Sequence, residues 1–424
     1  MALSLGKELM KLHLISLGCD KNLVDSERLL SKYIDLGYEI TDDEYEADVI
    51  IINTCAFIHD AKEESIETIL DMARLKEEGN LKKLIVTGCL SERYKDEFSK
   101  ELPEVDEIIP LKEISDSLEK RILSTPGHFA HLKIAEGCNK NCTYCVIPKI
   151  RGPYRSFPME SILNEAKALA TRGVKELILV AQETTLYGID LYKKKSLHIL
   201  LQELSKIDGI EWIRIMYCYP EEIYDELINE IKSNPKVCHY LDMPIQHISD
   251  NILKKMGRRT TKKELIERIS NLKKEIPDIT LRTSLICGFP GETEEDHKEL
   301  LSFIEDIKFD RLGAFTYSAE EDTVAYDMDD QVDEKIKKRY KREIMSLQKK
   351  IITAKNKALK GETIKCFIEG NLADTDTYVG RTYKDAPDID GLIFINSKRT
   401  LVTGDFVSVR VTGAKDYDLL GEEI

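Results

Sequence analysis

No stretch of this 424-residue sequence is apolar for the roughly 18 residues that a membrane-spanning helix needs. The apolar core of a signal peptide is missing as well, because Lys7, Glu8, Lys11 and His13 interrupt the N-terminal segment. We therefore expect a cytoplasmic protein with no membrane partner. Its ten cysteines would then stay reduced, which favours metal ligands or buried thiols over disulfides.

Positive charge is scarce: 62 Lys and Arg residues face 77 Asp and Glu residues, which gives a net charge of -15. An acidic surface repels phosphate groups, so a nucleic acid would need a local basic patch, whereas a basic protein is an easier partner. The chain also lacks internal repeats and low-complexity segments. With 42% hydrophobic and 33% charged residues, it is typical of a soluble globular protein of two or three domains.

Residues 1–125 alternate apolar strands with amphipathic helices. Asp25 or Ser26 is expected to cap the first helix, and a second helix is expected over 61–76. Strands joined by helical crossovers favour an α/β fold that begins with a doubly wound parallel-sheet domain. The predicted strands are 12–17, 48–53 and 84–87.

Residues 126–360 contain six apolar runs separated by helical segments, which predicts a partial (β/α)6 barrel, since a full eight-unit barrel needs about 250 residues. Reactive groups in such barrels lie at the C-terminal ends of the strands. Residues 361–424 alternate strands with turns and predict a small antiparallel β-barrel. The six predicted strands of the central barrel are 130–134, 177–180, 212–216, 239–241, 280–286 and 311–315.

A basic helix is predicted at the end of the central region. Residues 331–360 carry eleven Lys and Arg but only three Asp and Glu, with Tyr340, Ile344 and Ile351 on one apolar side. This pattern is typical of an amphipathic helix packed on the barrel with a solvated basic face. A surface that contacts phosphate groups is the alternative.

Three cysteines, Cys138, Cys142 and Cys145, follow the first strand of the predicted barrel at close spacing. Thiolates four and three residues apart can surround one compact iron-sulfur cluster, and three ligands leave one iron of a 4Fe-4S cluster open. A zinc site without an obvious fourth ligand and three unrelated thiols are the alternatives.

Another set of cysteines is spread along the N-terminal region. Cys19, Cys55 and Cys89 each follow a predicted strand, one strand–helix unit apart. Because parallel strands lie about 4.8 Å apart, equivalent strand ends meet at one sheet edge, where three thiols can hold a second cluster. Chance repetition of a small buried residue is the alternative. Four further cysteines show no ligand spacing and are expected in the core, namely Cys218, Cys238, Cys287 and Cys366.

The spacing of Cys138, Cys142 and Cys145 resembles that of the radical S-adenosylmethionine (SAM) superfamily. The resemblance implies that the open iron binds the amine and carboxylate of SAM and that Tyr144 lies beside the adenine. It also implies reductive cleavage of SAM to methionine and a 5′-deoxyadenosyl radical. Glu183, which follows the second barrel strand, is a candidate acceptor for the SAM amine, with a plain loop carboxylate as the alternative.

Other polar residues near the ends of barrel strands are weaker candidates. His247, which follows Gln246, is either a structural residue or a contact to cofactor or substrate. Arg282 lies inside a predicted strand and is expected to face a carboxylate, because an unpaired buried guanidinium is costly.

Two three-cysteine sets followed by a small β-barrel resemble the methylthiotransferase family over essentially the whole chain. The corresponding domains are a methylthiotransferase N-terminal domain (1–125), a radical SAM barrel with a trailing basic helix (126–360) and a TRAM β-barrel (361–424). Within the family, the chain is similar to the RimO branch in SLGCDKNLVDSE at 16–27, in the run from Lys133 to Arg155 and in APDIDG at 386–391. That branch usually has Pro where this chain has Asp20, a departure that leaves all six cysteines intact.

The resemblance implies an enzyme with two 4Fe-4S clusters that adds a methylthio group to the β-carbon of an aspartate of ribosomal protein uS12. SAM would serve as methyl donor and radical source, and no catalytic residue beyond the cluster ligands is predicted. The implied partners are uS12, free or in the small ribosomal subunit, and a reductant protein of flavodoxin or ferredoxin type. The alternatives are a methylthiotransferase acting on a modified adenosine of tRNA, and a non-catalytic iron-sulfur or zinc protein that binds ribosomes or RNA.

Charge distinguishes the two enzyme hypotheses. Residues 361–424 carry seven Lys and Arg but twelve Asp and Glu. An acidic TRAM barrel would repel tRNA, and it suits a basic ribosomal protein. We expect the docking surface to include Asp374, Asp376, Asp388 and Asp390.

Overall fold

The computed structural model describes residues 9–115, 120–373 and 375–424, so Lys7, Glu8 and Asp374 lie outside the described residues. The chain forms two compact units. The first comprises the described residues up to 124 together with 136–140 and 145–155, and the second comprises 125–135, 141–144 and 156–424. The three-domain division with boundaries at 125/126 and 360/361 stays a prediction.

The first unit is built on a five-stranded parallel sheet with the strand order β2-β1-β3-β4-β5. This order is that of a doubly wound fold, and it reverses between β1 and β3, where ligands of such folds bind. The apolar run of β3, from Val49 to Ile52, is buried on both faces, as the sequence predicted. The strands are β1 (Lys11–Ser16), β2 (Glu39–Ile40), β3 (Val49–Thr54), β4 (Lys83–Gly88) and β5 (Glu107–Ile109).

The helices of the first unit are α1 (Asp20–Asp35), α2 (His59–Glu78), α3 (Cys89–Arg93), α4 (Lys95–Glu101), α5 (Leu111–Ser115) and α6 (Ile147–Arg151). The predicted cap of α1 is wrong, because the helix begins at Asp20 with Cys19 as its N-cap. Asp25 and Ser26 lie inside the helix, where their side chains make buried contacts instead of capping it. Cys19 is therefore fixed between a strand and a helix start.

The second unit contains the predicted partial barrel. Its six parallel strands pair in chain order, and each predicted strand is present with ends shifted by one or two residues. There are also two very short strands, β7 (Ala135–Glu136) and β8 (Arg155–Ser156). Each contains a point at which the chain passes from one unit to the other. The barrel strands are β6 (Phe129–Lys133), β9 (Glu176–Val180), β10 (Trp212–Ile215), β11 (Val237–Asp242), β12 (Thr280–Cys287) and β13 (Arg311–Thr316).

The helices of the second unit are α7 (Met159–Thr171), α8 (Ile189–Tyr192), α9 (Leu197–Ser205), α10 (Asp225–Ser233), α11 (Asp250–Lys255), α12 (Lys262–Glu275), α13 (Glu294–Ile307) and α14 (Glu334–Ala358). The predicted basic helix is α14, which packs on β13 through Tyr340, Ile344 and Ile351. Among the helices in the described ranges, none is both long and apolar enough to cross a membrane.

The C-terminal residues form a closed five-stranded β-barrel, as predicted. Four strand pairs are antiparallel, whereas β16 and β18 pair in parallel and close the barrel. The last strand, β18, was not predicted, because its run Asp418–Glu423 is short and mostly polar. The strands are β14 (Thr363–Asn371), β15 (Thr377–Thr382), β16 (Ile393–Asn396), β17 (Phe406–Lys415) and β18 (Asp418–Glu423).

Buried charges join the two barrels of the second unit. Glu176, the first residue of β9, lies between two buried guanidinium groups, 2.8 Å from Arg214 Nε and 2.7 Å from Arg381 Nη2. Burial alone would raise the pKa of Glu176, but the two cations outweigh it and lower the pKa below its usual value. Because Glu176 and Trp212 begin their strands and contact Arg381 and Phe406, the C-terminal barrel packs at the end of the central barrel where the strands begin.

Asp390 belongs to this buried network, which contradicts its predicted role in docking. Its side chain is only 2% exposed and lies 3.5 Å from Arg282 Nε. The hydroxyl of Tyr240 donates to it at 2.7 Å. Arg282 also contacts Asp242 at 2.7 Å, so its expected carboxylate partner is confirmed. Asp390 was misassigned because its partners are more than a hundred residues away in the sequence.

We predict that Glu176→Gln lowers the melting temperature strongly, because it removes the carboxylate partner of buried Arg214 and leaves buried Arg381 with Glu369 alone, at a cost of about 3–5 kcal/mol. Since the folded-state pKa of Glu176 is depressed, its stabilising contribution is present above the unfolded-state pKa. That contribution is lost as the pH falls through the folded-state pKa. Differential scanning fluorimetry as a function of pH measures both effects.

The matched control is Glu203→Gln, which removes an exposed ion pair with Lys206 at 2.6 Å that is worth about 0–1 kcal/mol. Equal melting temperatures for the two variants would contradict a structural role for Glu176.

Candidate functional site

The register of the first sheet aligns the cysteines that follow its strands. Thr54 pairs with Gly88, so Cys55 and Cys89 are the next residues of neighbouring strands. Ser16 pairs with Asn53, which brings Gly18 level with Cys55. Cys55 and Cys89 are buried, whereas Cys19 is exposed at the start of α1. The structure therefore brings the three strand ends together at one edge, as the sequence predicted.

Gly18 allows the first strand end to approach the second. Its φ of +89° lies in the left-handed region, and a Cβ built there would lie 2.8 Å from Cys55 Cβ and 2.9 Å from Cys55 Sγ. Gly88 is similar, since its φ is +102° and a Cβ would lie 2.4 Å from the carbonyl oxygen of Thr54. Any side chain at either position would push the strand ends apart, so glycine is required there for steric and conformational reasons.

Two asparagines hold these strand ends. Asn22 Nδ2 donates to the carbonyl oxygens of Leu17 at 2.9 Å and Thr54 at 3.0 Å. Asn53 Nδ2 donates in turn to the carbonyl oxygen of Asn22 at 2.8 Å and to Ser26 Oγ at 2.9 Å. These bonds satisfy backbone carbonyl groups at and just beyond the strand ends. The two asparagine side chains therefore hold this edge of the sheet in place.

Arg151, at the end of α6, reaches into the same edge with a side chain that is 2% exposed. Its Nη1 lies 2.8 Å from Asp25 Oδ2 and its Nη2 lies 3.6 Å from Cys89 Sγ, while Asn22 Oδ1 accepts a second bond from Nη2. Burial alone would lower the pKa of Arg151, but the negative charges of Glu136, Cys89 and Asp25 raise it well above its usual value. A permanent cation therefore faces the sulfur of Cys89.

Arg151, Asn22 and Gly18 were not predicted as site residues. Arg151 is separated from Asp25 by 126 residues and from Cys89 by 62, so no local pattern connects them. The signal in the sequence was that Gly18 and Asn22 lie in the stretch 16–27, and Arg151 in the run from Lys133 to Arg155, both of which are similar to the RimO branch.

Burial affects the thiols at this edge. Burial, with smaller contributions from the nearby Cys89 and Cys19, raises the pKa of Cys55 to about 11. Burial also raises the pKa of Cys89, although Arg151 opposes that shift. Burial therefore favours the thiol form of both residues, whereas metal binding favours the thiolate form and releases the thiol proton.

The motif cysteines are divided between the two units. Cys138 and Cys145 belong to the first unit, where the Cys138 amide donates to the carbonyl oxygen of Gly152 at 3.1 Å. Cys142 belongs to the second unit, and its sulfur lies 3.6 Å from the hydroxyl of Tyr219. The next residue, Thr143, is anchored by a 3.0 Å bond from its amide to the carbonyl oxygen of Met256.

Aromatic and cationic side chains surround Cys142 and Tyr144 within the second unit. The ring of Tyr144 lies 6.3 Å from that of Phe289 in an edge-to-face arrangement. The buried guanidinium of Arg258 lies 4.2 Å from the centre of the Tyr219 ring. Within the described residues, its Nε and Nη1 have no hydrogen-bond partner. The sequence analysis missed Arg258, whose unsatisfied donors are available to an anionic ligand.

Glu183 is fully buried after β9, where the amide of Thr185 donates to its Oε1 at 2.9 Å. The hydroxyl of Thr185 bonds to the same oxygen. Glu183 is therefore buried and held in a fixed orientation, and its role in binding SAM stays a prediction.

His247 makes structural contacts. Its Nδ1 accepts from the amide of Ser249 at 3.0 Å, and its Nε2 lies 3.5 Å from Glu292. The four cysteines without ligand spacing are buried, which confirms their prediction as core residues, and burial raises the pKa of Cys238 and Cys287 to about 12.

Across the described residues, no three His, Cys, Asp or Glu side chains converge as a single metal ion requires. The fit of an iron-sulfur cluster therefore rests on the soft thiol donors at the sheet edge and on the strand register that aligns them.

The parallel barrel with Cys138, Cys142 and Cys145 after its first strand has the architecture of radical SAM enzymes. Residues 132–304 match the model of the Radical SAM superfamily. Residues 11–110 match that of Uncharacterized protein family UPF0004, and residues 361–424 match that of the TRAM domain. A similar fold is found in the radical SAM methyltransferase TsrM from Kitasatospora setae, with a TM-score of 0.54, 14% identity and coverage of 73% of this chain and 75% of that one.

Relatives that match nearly the full length define the family more narrowly. Ribosomal protein uS12 methylthiotransferase RimO from Lachnoclostridium phytofermentans is 56% identical over 97% of this chain and 99% of that protein. The proteins of the same name from Clostridium kluyveri and Clostridioides difficile are 51% and 49% identical over at least 97% of both chains. The chain belongs to the RimO family of radical SAM methylthiotransferases, as the sequence motifs predicted.

We predict that Gly18→Ala reduces the iron bound at the strand-end cysteines and destabilises the first unit. The added methyl group would clash with Cys55, and the backbone would be strained by about 1–3 kcal/mol. Iron quantitation after anaerobic reconstitution and a thermal melt measure the two effects.

Gly37→Ala is the matched control, because Gly37 has a similar φ of +91° but no atom within 4 Å of the added Cβ. It should lose comparable stability from backbone strain and keep its iron. An equal loss of iron in both variants would contradict the steric role of Gly18.

Proposed function

We propose that this chain adds a methylthio group to the β-carbon of an aspartate of ribosomal protein uS12. The observation that carries the proposal is the register that aligns Cys55 with Cys89 and brings the backbone of Gly18 against Cys55. Generating a radical needs only the motif cysteines, whereas a sulfur transfer needs another site that holds the sulfur. The full-length relatives carry the name of this activity.

Two 4Fe-4S clusters and SAM supply, when bound, the electron, the carbon radical and the methyl group that the transfer requires. Cys138, Cys142 and Cys145 would hold the cluster that binds SAM, and Cys19, Cys55 and Cys89 would hold the auxiliary cluster. Three protein ligands in each set leave one iron open, for SAM in one case and for sulfur in the other.

Residues of the second unit would bind SAM. Tyr144 would lie beside the adenine, and the fixed carboxylate of Glu183 would accept a hydrogen bond from the amine. Arg258 has unsatisfied donors next to Tyr219, so it would bind the SAM carboxylate or compensate the charge of the thiolates. Together, a carboxylate and a guanidinium would orient the two ends of an amino acid.

Arg151 would act on the auxiliary site through Cys89. Its guanidinium, fixed by Asp25 and Asn22, donates toward the Cys89 sulfur and stabilises the thiolate form that metal binding needs. Hydrogen bonds to ligand sulfurs also raise the reduction potential of iron-sulfur clusters.

The domain boundaries, the location and the reductant are also part of the proposal. The functional domains would be 1–125, 126–360 and 361–424. We place the enzyme in the cytoplasm, where its substrate and a reductant protein of flavodoxin or ferredoxin type would be available.

The acidic C-terminal barrel would dock uS12 through exposed carboxylates. Asp376, Asp388 and Glu422 are exposed, whereas Asp390 is committed to the buried network. Opposite charges steer association, and their effect is screened by salt.

We predict that two cysteine substitutions separate the two clusters. Cys142→Ala should abolish 5′-deoxyadenosine formation, because the barrel cluster loses one of three ligands. Cys55→Ala should keep SAM cleavage but lose methylthiolation of uS12, and its iron content should fall from about eight to about four per chain. Chromatography of the nucleoside product and mass spectrometry of uS12 measure these outcomes.

Cys366→Ala is the control, since this buried thiol lies in the C-terminal barrel and should leave both reactions intact. SAM cleavage at the parent rate in Cys142→Ala would refute the assignment of the radical cluster. A methylthio group on tRNA, with uS12 unmodified, would favour the alternative substrate.

We predict that replacing Asp376, Asp388 and Glu422 by Asn, Asn and Gln slows association with uS12. Each exposed charge contributes about 0–1 kcal/mol, so the combined change should be measurable where single changes are not. Surface plasmon resonance at increasing salt should show a smaller salt dependence for the variant. Unchanged association rates at low salt would contradict docking on this surface.

A further inference from the structure

One side of α14 carries a row of exposed cations. At 100° per residue the row occupies about a third of the helix circumference, opposite the side that packs on the barrel through Tyr340, Ile344 and Ile351. We call this row the basic stripe, and its members are Lys335, Lys338, Arg342, Lys349, Lys350 and Lys357.

Three basic residues of α14 outside the basic stripe, Lys337, Arg339 and Lys355, have carboxylate partners. Lys337 pairs with Glu334, and Lys355 pairs with Asp310, both at 2.6 Å. Within the basic stripe Lys349 pairs with Asp416 at 2.9 Å. For its other five members, the described part of the chain offers no acidic side chain within ion-pair distance. Unpaired positive charge is thus concentrated on one surface of a protein with a net charge of -15.

A shallow groove of about 590 Å³ runs along the C-terminal half of the basic stripe. Lys349, Lys350 and Lys357 line it together with the hydroxyls of Ser346 and Thr353. The carboxylate of Asp416, which pairs with Lys349, lies at the groove as well, so Lys350 and Lys357 are its unpaired cations. Ammonium and hydroxyl groups together are the usual contacts to phosphate oxygens of nucleic acids. The groove therefore provides both kinds of group where a phosphate backbone would lie.

We infer that the basic stripe is a docking surface for the phosphate backbone of RNA. The helix is about 37 Å long, so its cations can follow a polymer that carries one negative charge per nucleotide. The preference for RNA over an acidic protein rests on the proposed function, since an enzyme of a ribosomal protein works beside ribosomal RNA.

The structure disfavours an anionic membrane as the partner. A helix that lies on a membrane inserts an apolar face, but the apolar side of α14 is packed on the barrel. Ile336, which is 38% exposed, is the large hydrophobic residue that this helix presents to solvent.

The acidity of the rest of the chain does not prevent binding at the basic stripe. At physiological salt the Debye length is about 8 Å, so carboxylates farther away are largely screened. The local field of the unpaired cations therefore determines whether a phosphate backbone binds there.

The test uses the full-length, cluster-loaded chain and a 20-base-pair RNA duplex. The variant Lys338→Glu, Arg342→Glu and Lys350→Glu should weaken binding at least tenfold, and the slope of log affinity against log salt should fall by about 3, or about 0.9 per lost phosphate contact. Because the three side chains are exposed, circular dichroism should show an unchanged fold.

The matched control carries the same change of charge at exposed positions elsewhere, in Lys95→Glu, Lys100→Glu and Lys274→Glu. It should bind the duplex within about twofold of the parent. Equal weakening in both triple variants, or no binding by the parent, would overturn the inference.

Two further measurements separate this inference from other outcomes. Binding of the parent to phosphatidylserine vesicles or polyglutamate, with no binding to RNA, would overturn it in favour of a membrane or an acidic protein. Methylthiolation of free uS12 by the stripe variant at the parent rate, together with lost RNA binding, supports it. If the parent leaves uS12 unmodified while its RNA binding depends on the stripe, the proposed function fails and the inference stands.

Discussion

A buried charge must be matched by an opposite charge, and this constraint organises both units of the chain. In the first unit, the guanidinium of Arg151 requires the carboxylate of Asp25 and is thereby fixed beside Cys89. In the second unit, Glu176 requires Arg214 and Arg381, so one carboxylate joins two barrels. Ion pairs of this kind add little net stability but are very costly to break, so they determine which arrangement forms.

The regular elements were predictable because their signals are local. Apolar runs such as that from Val49 to Ile52 identify buried strands, and the alternation of strands with helices identifies parallel sheets. The errors occurred where tertiary contacts override a local preference. Asp25 is a good capping residue, but its carboxylate pairs with Arg151, and the helix begins five residues earlier. The edge strands β2 and β5 and the last strand β18 were too short or too polar to be recognised.

The candidate site, like the fold, was predictable where its signals are local in the sequence. The six cysteines could be found because strand-end positions and close spacing are properties of the sequence itself. The residues that hold those positions could not, since each acts through a distant partner: Gly18 through Cys55, and Asn22 through Thr54. Asp390 was predicted on the surface for the same reason, because its buried partners Arg282 and Tyr240 are far away in the sequence.

The second unit exposes charge of both signs, and the two meet where Lys349 of α14 pairs with Asp416 of the C-terminal barrel. Exposed carboxylates such as Asp376 and Asp388 lie on the C-terminal barrel, and the unpaired cations lie along α14. A partner of one sign would be attracted by one surface and repelled by the other, which opposes binding in a single orientation. A basic protein beside RNA presents both signs, and such a partner satisfies both surfaces at once. On the proposals above, a complex of a basic protein with RNA would match both kinds of surface, because bringing like charges together is repulsive.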